Sequence, residues 1–117
     1  MKNKNFIIII TTLFTIISCE NSYAEIKWEK NLATAMKKAK SKNIPIMIDI
    51  YTDWCSWCKE LDKNTYSNEE VIETAKKMIS VKLNPETSEE GEEIARKYGV
   101  QGYPTILFIN ADGFVLE

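Results

Sequence analysis

The chain has 117 residues, of which 44% are hydrophobic and 27% charged, and this composition is that of one ordinary globular domain. Its formal net charge is −2 and it has no basic cluster, so we expect no nucleic-acid partner bound through phosphates. The absence of histidine removes the usual general base and the commonest zinc ligand. Any chemistry must therefore come from other side chains.

The N-terminal residues have the pattern of an export signal. Lys2 and Lys4 give a positive start, and residues 6–17 form an apolar stretch that is broken only by threonines and is too short to span a bilayer comfortably. The sequence therefore predicts a signal over residues 1–24 and one domain over residues 25–117, placed outside the cytoplasm.

Two cleavage sites compete within this signal, and an uncleaved anchor is a third alternative. The stretch from Ile16 to Cys19 resembles the lipobox of bacterial lipoproteins, in which Cys19 becomes the acylated first residue. Small residues before Glu25 offer the second site, after Ala24. We expect a protein of the bacterial periplasm or cell envelope, with a membrane tether through Cys19 under the lipobox interpretation.

Downstream of the signal, strand patterns and helix patterns alternate. Short apolar runs predict strands at residues 26–28, 46–51, 81–83, 105–109 and 114–116. Apolar positions at helical spacing predict helices over residues 32–39, 55–66, 69–79 and 88–98. The alternation predicts a single α/β domain in which helices flank a central mixed β-sheet.

Polar residues predict where these helices begin and end. Asn31 and Asn68 stand before the first and third helices as N-caps. Thr87 and Glu90 have the spacing of a capping box, which places Thr87 at the N-cap of the fourth helix. Gly99 supplies the stop of that helix, so its two ends are both predicted.

The motif Cys55-Ser56-Trp57-Cys58 places two thiols three positions apart, directly after a strand of buried type. If Cys55 opens a helix, both sulfurs lie on one side of its first turn and can form and reopen a disulfide. Unpaired backbone N–H groups and the helix dipole stabilise a thiolate there, which makes Cys55 the attacking sulfur. We expect Cys58 to stay protonated until needed, and the Cys55 sulfur to be exposed at the edge of the sheet.

Other uses of a Cys-x-x-Cys pair fit the sequence less well. Tetrahedral zinc needs four cysteine or histidine ligands, and the predicted domain has two cysteines and no histidine, so we expect no metal. Haem attachment needs histidine where this chain has Lys59, and no other cofactor is implied. A purely structural disulfide stays open as an alternative, although closing so short a loop gives little entropic stabilisation.

The cysteine motif and its surroundings resemble the thioredoxin superfamily. Residues 48–59 follow the active-site pattern of that superfamily nearly position by position. The run Gly102-Tyr103-Pro104-Thr105 is similar to its cis-proline loop, and residues 82–84 are similar to the strand end before its third helix. The resemblance covers residues 26–116 and implies a thioredoxin-like fold.

One subgroup is the most similar, and the chain departs from the superfamily in two places. Residues 43–45 and 59–67 are most similar to the C-terminal domain of the thiol-disulfide interchange protein DsbD. Trp57 replaces the proline that is common before the second cysteine. The chain stops at Glu117, where family members continue through a final strand and a C-terminal helix, so we expect the domain to be incomplete at this end.

The resemblance also implies roles for residues outside the motif. Asp49 would be a buried carboxylate that accepts the Cys58 proton, and Lys82 would be its charged neighbour. Pro104, in a cis peptide, would lie against the disulfide and leave the backbone of Tyr103 free to pair with an extended substrate. The aromatic residues nearest the sulfur would form an apolar contact surface: Trp54, Trp57 and Tyr103.

The implied activity is that of a thiol-disulfide oxidoreductase acting as a protein-disulfide reductase. Its partners would be exported proteins that contain disulfides and an upstream thiol electron donor, expected in the membrane, that restores the Cys55–Cys58 pair. No histidine lies between the cysteines, which removes one stabiliser of the thiolate and favours reduction over the oxidase or isomerase direction. The alternative from another class is a non-catalytic module that captures peptides along the Tyr103–Pro104 edge.

Overall fold

The computed structural model describes residues 24–117, so the predictions for the signal, its cleavage and Cys19 lie outside the described residues. The strands are β1 (Trp28–Glu29), β2 (Ile46–Ile50), β3 (Ile79–Leu83) and β4 (Thr105–Ile109). The helices are α1 (Leu32–Lys42), α2 (Ser56–Glu60), α3 (Glu69–Ala75) and α4 (Glu89–Lys97), and a π-helical segment, Leu61–Thr65, continues α2. Within residues 24–117, the helices lack the length and the apolar composition that a bilayer span requires.

The strands form one mixed sheet in the order β1-β3-β2-β4. Strand β3 lies parallel to both β1 and β2, whereas β4 is antiparallel to β2. The registers place Asp49 of β2 beside Lys82 on one side and Ile106 on the other. The predicted α/β class with a mixed sheet is therefore confirmed, and β2 is flanked by a partner strand on each side.

The main core lies between one face of the sheet and the helices α1 and α4. Ile46, Ile48 and Ile50 of β2 lie in it, together with Ala35 of α1 and Ile94 of α4. Helix α3 lies against the other face of the sheet. Because both faces of β2 are covered, all five of its residues are buried, which explains the nearly continuous apolar run in the sequence.

Asn31 and Asn68 cap α1 and α3 as predicted. The side-chain oxygen of Asn31 accepts a hydrogen bond from the Thr34 N–H at 2.8 Å, and that of Asn68 accepts one from the Glu70 N–H at 2.9 Å. Helix α3 ends at Ala75 instead of residue 79. The chain leaves the helix at this point because residue 79 begins β3.

The capping box predicted for α4 is wrong. The N–H of Thr87 donates to the Asn84 carbonyl in a turn, so the helix begins one residue later than predicted. Ser88 is the N-cap, and its hydroxyl accepts a hydrogen bond from the Gly91 N–H at 2.9 Å. The strand predicted at residues 114–116 is also wrong in extent, because it is reduced to a single bridge between Val115 and Ile109.

Glu90 does not take part in the predicted capping box of α4 and instead caps α1. Its carboxylate accepts hydrogen bonds from the N–H groups of Leu32 at 2.9 Å and Ala33 at 3.3 Å, in the first turn of α1. A negative charge at this position also interacts favourably with the helix dipole. Helices α1 and α4, which cover the same face of the sheet, are therefore linked by one side chain.

Gly91 is a position where we predict a large loss of stability on substitution. A Cβ atom there would lie 2.7 Å from the Asn84 carbonyl oxygen and 2.8 Å from the Ser88 hydroxyl. Gly91→Ala should therefore lower the free energy of unfolding by about 1–3 kcal/mol, despite the better helix propensity of alanine. Urea unfolding measures this change, with Glu93→Ala, at an exposed position of the same helix, as the control. An unchanged midpoint for Gly91→Ala would show that the α4 turn is loosely packed.

Candidate active site around Cys55 and Cys58

The turn between β2 and α2 brings the two cysteines together. The N–H of Cys55 donates to the Thr52 carbonyl at 3.3 Å, which closes the turn and directs the chain into α2. Cys55 is the N-cap of α2, and Cys58 lies in its first turn. Their Cα atoms are 5.3 Å apart and the sulfurs form a disulfide. The spacing predicted from the sequence therefore gives a bonded pair at the start of a helix.

Cys55 is much less exposed than predicted. Only 4% of its surface is accessible in the disulfide form, close to the value for Cys58, so the prediction of a sulfur exposed at the sheet edge is wrong for this state. A physical reason is the bond itself, because it holds the Cys55 sulfur against a residue of the first helical turn. In this state the two cysteines are buried to nearly the same degree.

A backbone donor points at the Cys55 sulfur. The N–H of Cys58 donates to Cys55 Sγ at 3.1 Å, in the manner of an N-cap hydrogen bond. Hydrogen bonds from backbone N–H groups favour negative charge on a sulfur. This contact distinguishes the two cysteines and agrees with the assignment of Cys55 as the sulfur that ionises.

Asp49 is a buried carboxylate on the strand that leads into the cysteine turn. It is 1% exposed, and its Oδ2 lies 3.0 Å from Lys82 Nζ in an ion pair. Neither oxygen has a hydrogen-bond partner of good geometry within residues 24–117. Burial raises the pKa of Asp49, and the positive charge of Lys82 only partly opposes that effect. Asp49 is therefore a carboxylate that binds a proton more readily than an exposed one.

Lys82 is held by groups on several elements. Its ammonium lies 2.7 Å from Asp62 Oδ1 and within 4.8 to 5.3 Å of the ring centres of three aromatic residues: Tyr51, Trp28 and Tyr66. Burial alone would lower the pKa of Lys82, but the hydrogen bond to Asp62 and the charge of Asp49 outweigh it and raise the pKa. Lys82 therefore keeps its positive charge while it faces a buried acid.

Asp62 and Tyr66 complete this cluster, and sequence reasoning missed both. Asp62 lies in the π-helical segment and Tyr66 directly follows it, where the Tyr66 N–H donates to the Leu61 carbonyl at 3.0 Å. Burial and the charge of Asp49 raise the pKa of the Tyr66 hydroxyl. The sequence did contain a signal for Asp62: it stands four positions after Cys58, and residues four apart lie on the same side of a helix. No comparable signal marked Tyr66.

Trp54, Trp57 and Tyr103 were predicted to form the apolar contact surface at the substrate edge, the edge at Tyr103 and Pro104. Trp54 and Tyr103 contact each other, whereas Trp57 stands apart from them. The rings of Trp54 and Tyr103 meet edge to face, with centres 6.1 Å apart, and the Tyr103–Pro104 peptide bond is cis. Trp54 and Trp57 are 66% and 75% exposed. In the described part of the chain, Trp57 takes part in no aromatic pair. Residues 24–117 also contain no group of three acidic or cysteine side chains placed to hold a metal.

Comparison with known proteins shows which family the chain resembles. The family model described as thioredoxin-like matches residues 27–111. The chain is 40% identical over 84 residues to the thiol:disulfide interchange protein DsbD of Citrobacter koseri, a match that covers 70% of this chain and 14% of DsbD. The chain therefore spans about one seventh of that relative.

Solved structures agree with the sequence match. The DsbH oxidoreductase superposes with a TM-score of 0.73 at 26% identity, covering 80% of this chain and 72% of DsbH. The reduced C-terminal domain of DsbD from Neisseria meningitidis superposes with a TM-score of 0.62 at 27% identity, covering 74% and 77% of the two chains. The predicted resemblance to this domain is confirmed. With the paired cysteines at the start of α2, these matches show that the chain belongs to the thioredoxin-like family.

Proposed function

We propose that this protein is a thiol-disulfide oxidoreductase that reduces disulfides of exported proteins. The observation that carries the proposal is the Cys55–Cys58 disulfide at the start of α2, with a backbone N–H donated to Cys55 Sγ. A purely structural disulfide needs neither this donor nor a buried acid on the preceding strand. Membership of the thioredoxin-like family and the similarity to DsbD support the same chemistry.

The reaction begins from the reduced pair. The Cys55 thiolate attacks one sulfur of the partner's disulfide, so that bond breaks, a mixed disulfide forms, and the partner's other sulfur leaves as a thiolate that takes up a proton. Cys58 then loses its proton and attacks the Cys55 sulfur. The partner's attacked sulfur, until then bound to Cys55, leaves as a thiolate that takes up a proton, and the Cys55–Cys58 disulfide remains. Two electrons have passed to the partner, which is now a dithiol.

Asp49 is the group we assign to the Cys58 proton. A carboxylate whose pKa is raised by burial is better matched to a thiol than an exposed one, so transfer costs less free energy. Lys82, shared between Asp49 and Asp62, holds this carboxylate in place. Asp49 therefore acts at the second step, when the mixed disulfide is resolved.

The substrate edge and the cellular setting extend the proposal. Tyr103 and Pro104 would present backbone to an extended segment of the partner, and Trp54 and Trp57 would contact its side chains. The export signal predicted over residues 1–24 supports a location in the bacterial periplasm or envelope, with a lipid tether at Cys19 under the lipobox interpretation. An upstream thiol donor in the membrane would return the Cys55–Cys58 disulfide to the dithiol.

A second candidate function is peptide binding without catalysis. The small exposed fraction of Cys55 favours it, because a covered disulfide can serve as a plug beneath an aromatic surface. Reduction of insulin by dithiothreitol separates the two candidates. The wild type should accelerate the reaction and Cys55→Ser should not. Equal turnover by the two proteins, or no turnover by either while both bind peptide, would leave the reductase function without support. Net oxidation of a reduced partner would indicate the reverse direction.

A further inference from the structure

The exposed indole of Trp54 is held in place from two sides. Its Nε1 donates a hydrogen bond to Glu86 Oε1 at 2.9 Å, and its ring lies edge-on to Tyr103 at an interplanar angle of 83°. Hydrogen bonds to an ionised acceptor are stronger than neutral ones. A side chain with most of its surface in solvent is thus restrained beside the cysteine motif.

The support for this restraint extends into the core. The N–H of Glu86 donates to the side-chain oxygen of Asn84 at 2.9 Å, and Asn84 is buried at the end of β3. The Asn84 carbonyl in turn accepts from the Ser88 N–H at 3.1 Å at the start of α4. Glu86 is therefore fixed at its backbone and at its carboxylate, although its side chain is exposed.

Trp57 provides the contrast within the same motif. It is at least as exposed as Trp54, yet within residues 24–117 its indole has no hydrogen-bond acceptor and no aromatic partner. One indole is therefore set in a defined position and the other is held by fewer contacts. The fixed one contacts Tyr103, the residue whose backbone is proposed to pair with a substrate.

We propose that Glu86 is a positioning residue that holds Trp54 as a wall beside the substrate edge at Tyr103 and Pro104, and so favours disulfides within extended peptides over small disulfides. A wall that is already ordered contributes contact area without an ordering cost on binding, and only a substrate long enough to reach Tyr103 gains from it. The inference rests on the proposed reductase function, which supplies the reaction used to measure it.

The test compares two substrates with four proteins. The substrates are an extended peptide containing one disulfide and 2-hydroxyethyl disulfide, and the proteins are the wild type, Glu86→Ala, Glu86→Gln and Glu89→Ala. Glu89 is an exposed acid one turn away that makes no side-chain hydrogen bond within residues 24–117. Glu86→Ala should raise KM for the peptide about three- to tenfold, the loss expected when one large side chain must be ordered on binding. Its kcat, and both constants for 2-hydroxyethyl disulfide, should stay unchanged.

The conservative variant and the control make the result specific. Glu86→Gln keeps an oxygen that accepts from the indole, so its KM for the peptide should lie near the wild-type value, as should that of Glu89→Ala. Fluorescence anisotropy in a Trp28→Phe, Trp57→Phe background, where Trp54 is the one remaining tryptophan, should fall in Glu86→Ala, which reports the released indole directly. An unchanged KM for the peptide, or a parallel loss with both substrates, would overturn the proposal.

Failure of the reductase function gives a different result from failure of this inference. If the wild type reduces neither substrate, the proposed function is wrong, and binding of the same peptide still tests the role of Glu86. The dissociation constant should then rise about three- to tenfold in Glu86→Ala. Equal binding by the wild type and Glu86→Ala would reject the positioning role whether or not the protein is a reductase.

Discussion

Cys58→Ser should turn the protein into a trap for its own partners. The Cys55 thiolate can still attack a partner disulfide, but no second thiol remains to release the product, so mixed disulfides through Cys55 should accumulate. We expect bands of higher mass on non-reducing gels of host extracts, and their collapse to the monomer on reduction. Mass spectrometry of the trapped chains would name the partners.

The matched control for this experiment is Cys55→Ser. Cys58 lies in the first turn of α2, and no backbone N–H donates to its sulfur in residues 24–117, so its thiolate is stabilised less and it should trap few partners or none. If both variants accumulate the same products, the proposal that Cys55 attacks the partner and Cys58 resolves the mixed disulfide is wrong. If Cys58→Ser is exported and folded and yet traps nothing, the reductase function itself loses its support.

Asp49→Asn should slow the resolution step by about 10²-fold or more, the usual contribution of a general base. Asparagine keeps the size of the side chain but cannot take up the Cys58 proton. Mixing reduced protein with an excess of peptide disulfide and following tryptophan fluorescence measures this step. Asp53→Asn, which changes an exposed carboxylate in the turn after β2, is the control and should behave as the wild type. An unchanged rate in Asp49→Asn would assign the proton to another group.

The same substitution, Asp49→Asn, should slow the reaction and yet stabilise the folded protein at pH 8. The pKa of Asp49 is raised in the folded protein above its ordinary value of 3.8, so the folded state binds the proton more tightly than the unfolded state. The stabilisation that comes from this tighter proton binding is therefore fully present below pH 3.8, and it is lost as the pH rises through the folded-state pKa of Asp49. Each unit of difference between the folded-state and unfolded-state pKa values of Asp49 changes the free energy of unfolding by about 1.4 kcal/mol.

Urea unfolding at two pH values checks this sign. At pH 8 Asp49→Asn should be more stable than the wild type, because the ionised and buried carboxylate is gone and Lys82 keeps Asp62 as a partner. At a pH below 3.8 the two proteins should differ little, because Asp49 is then protonated in both states. A less stable variant at pH 8 would mean that the ion pair with Lys82 outweighs the effect of burial.

Local patterns predicted the fold and the motif because the forces behind them act over a few residues. The apolar run that became β2 was visible in the sequence because a strand covered on both faces needs apolar residues at nearly every position. Asn31 and Asn68 were recognisable because an N-cap bonds to amides two or three residues away. The superfamily pattern then placed Cys55 and Cys58 at a helix start.

The features that were missed depend on contacts between distant parts of the chain. Glu90 meets α1 from 58 residues away, and a local capping box was the nearer but incorrect alternative. Lys82 and Asp62 are 20 residues apart, and only the folded domain brings the π-helical segment and β3 together. The burial of Cys55 also depends on tertiary packing and on the disulfide itself, whereas a helix N-terminus considered alone is open to solvent.

The arrangement around Lys82 has a consequence for electroneutrality. With Asp49 ionised, one cation balances two anions and the cluster carries a net charge of −1. Once Asp49 takes up a proton, Lys82 still has Asp62 as its counter-ion at 2.7 Å, and the cluster becomes neutral. The ammonium therefore keeps a partner whether or not Asp49 holds a proton, with one anion in the interior and the other at the water boundary.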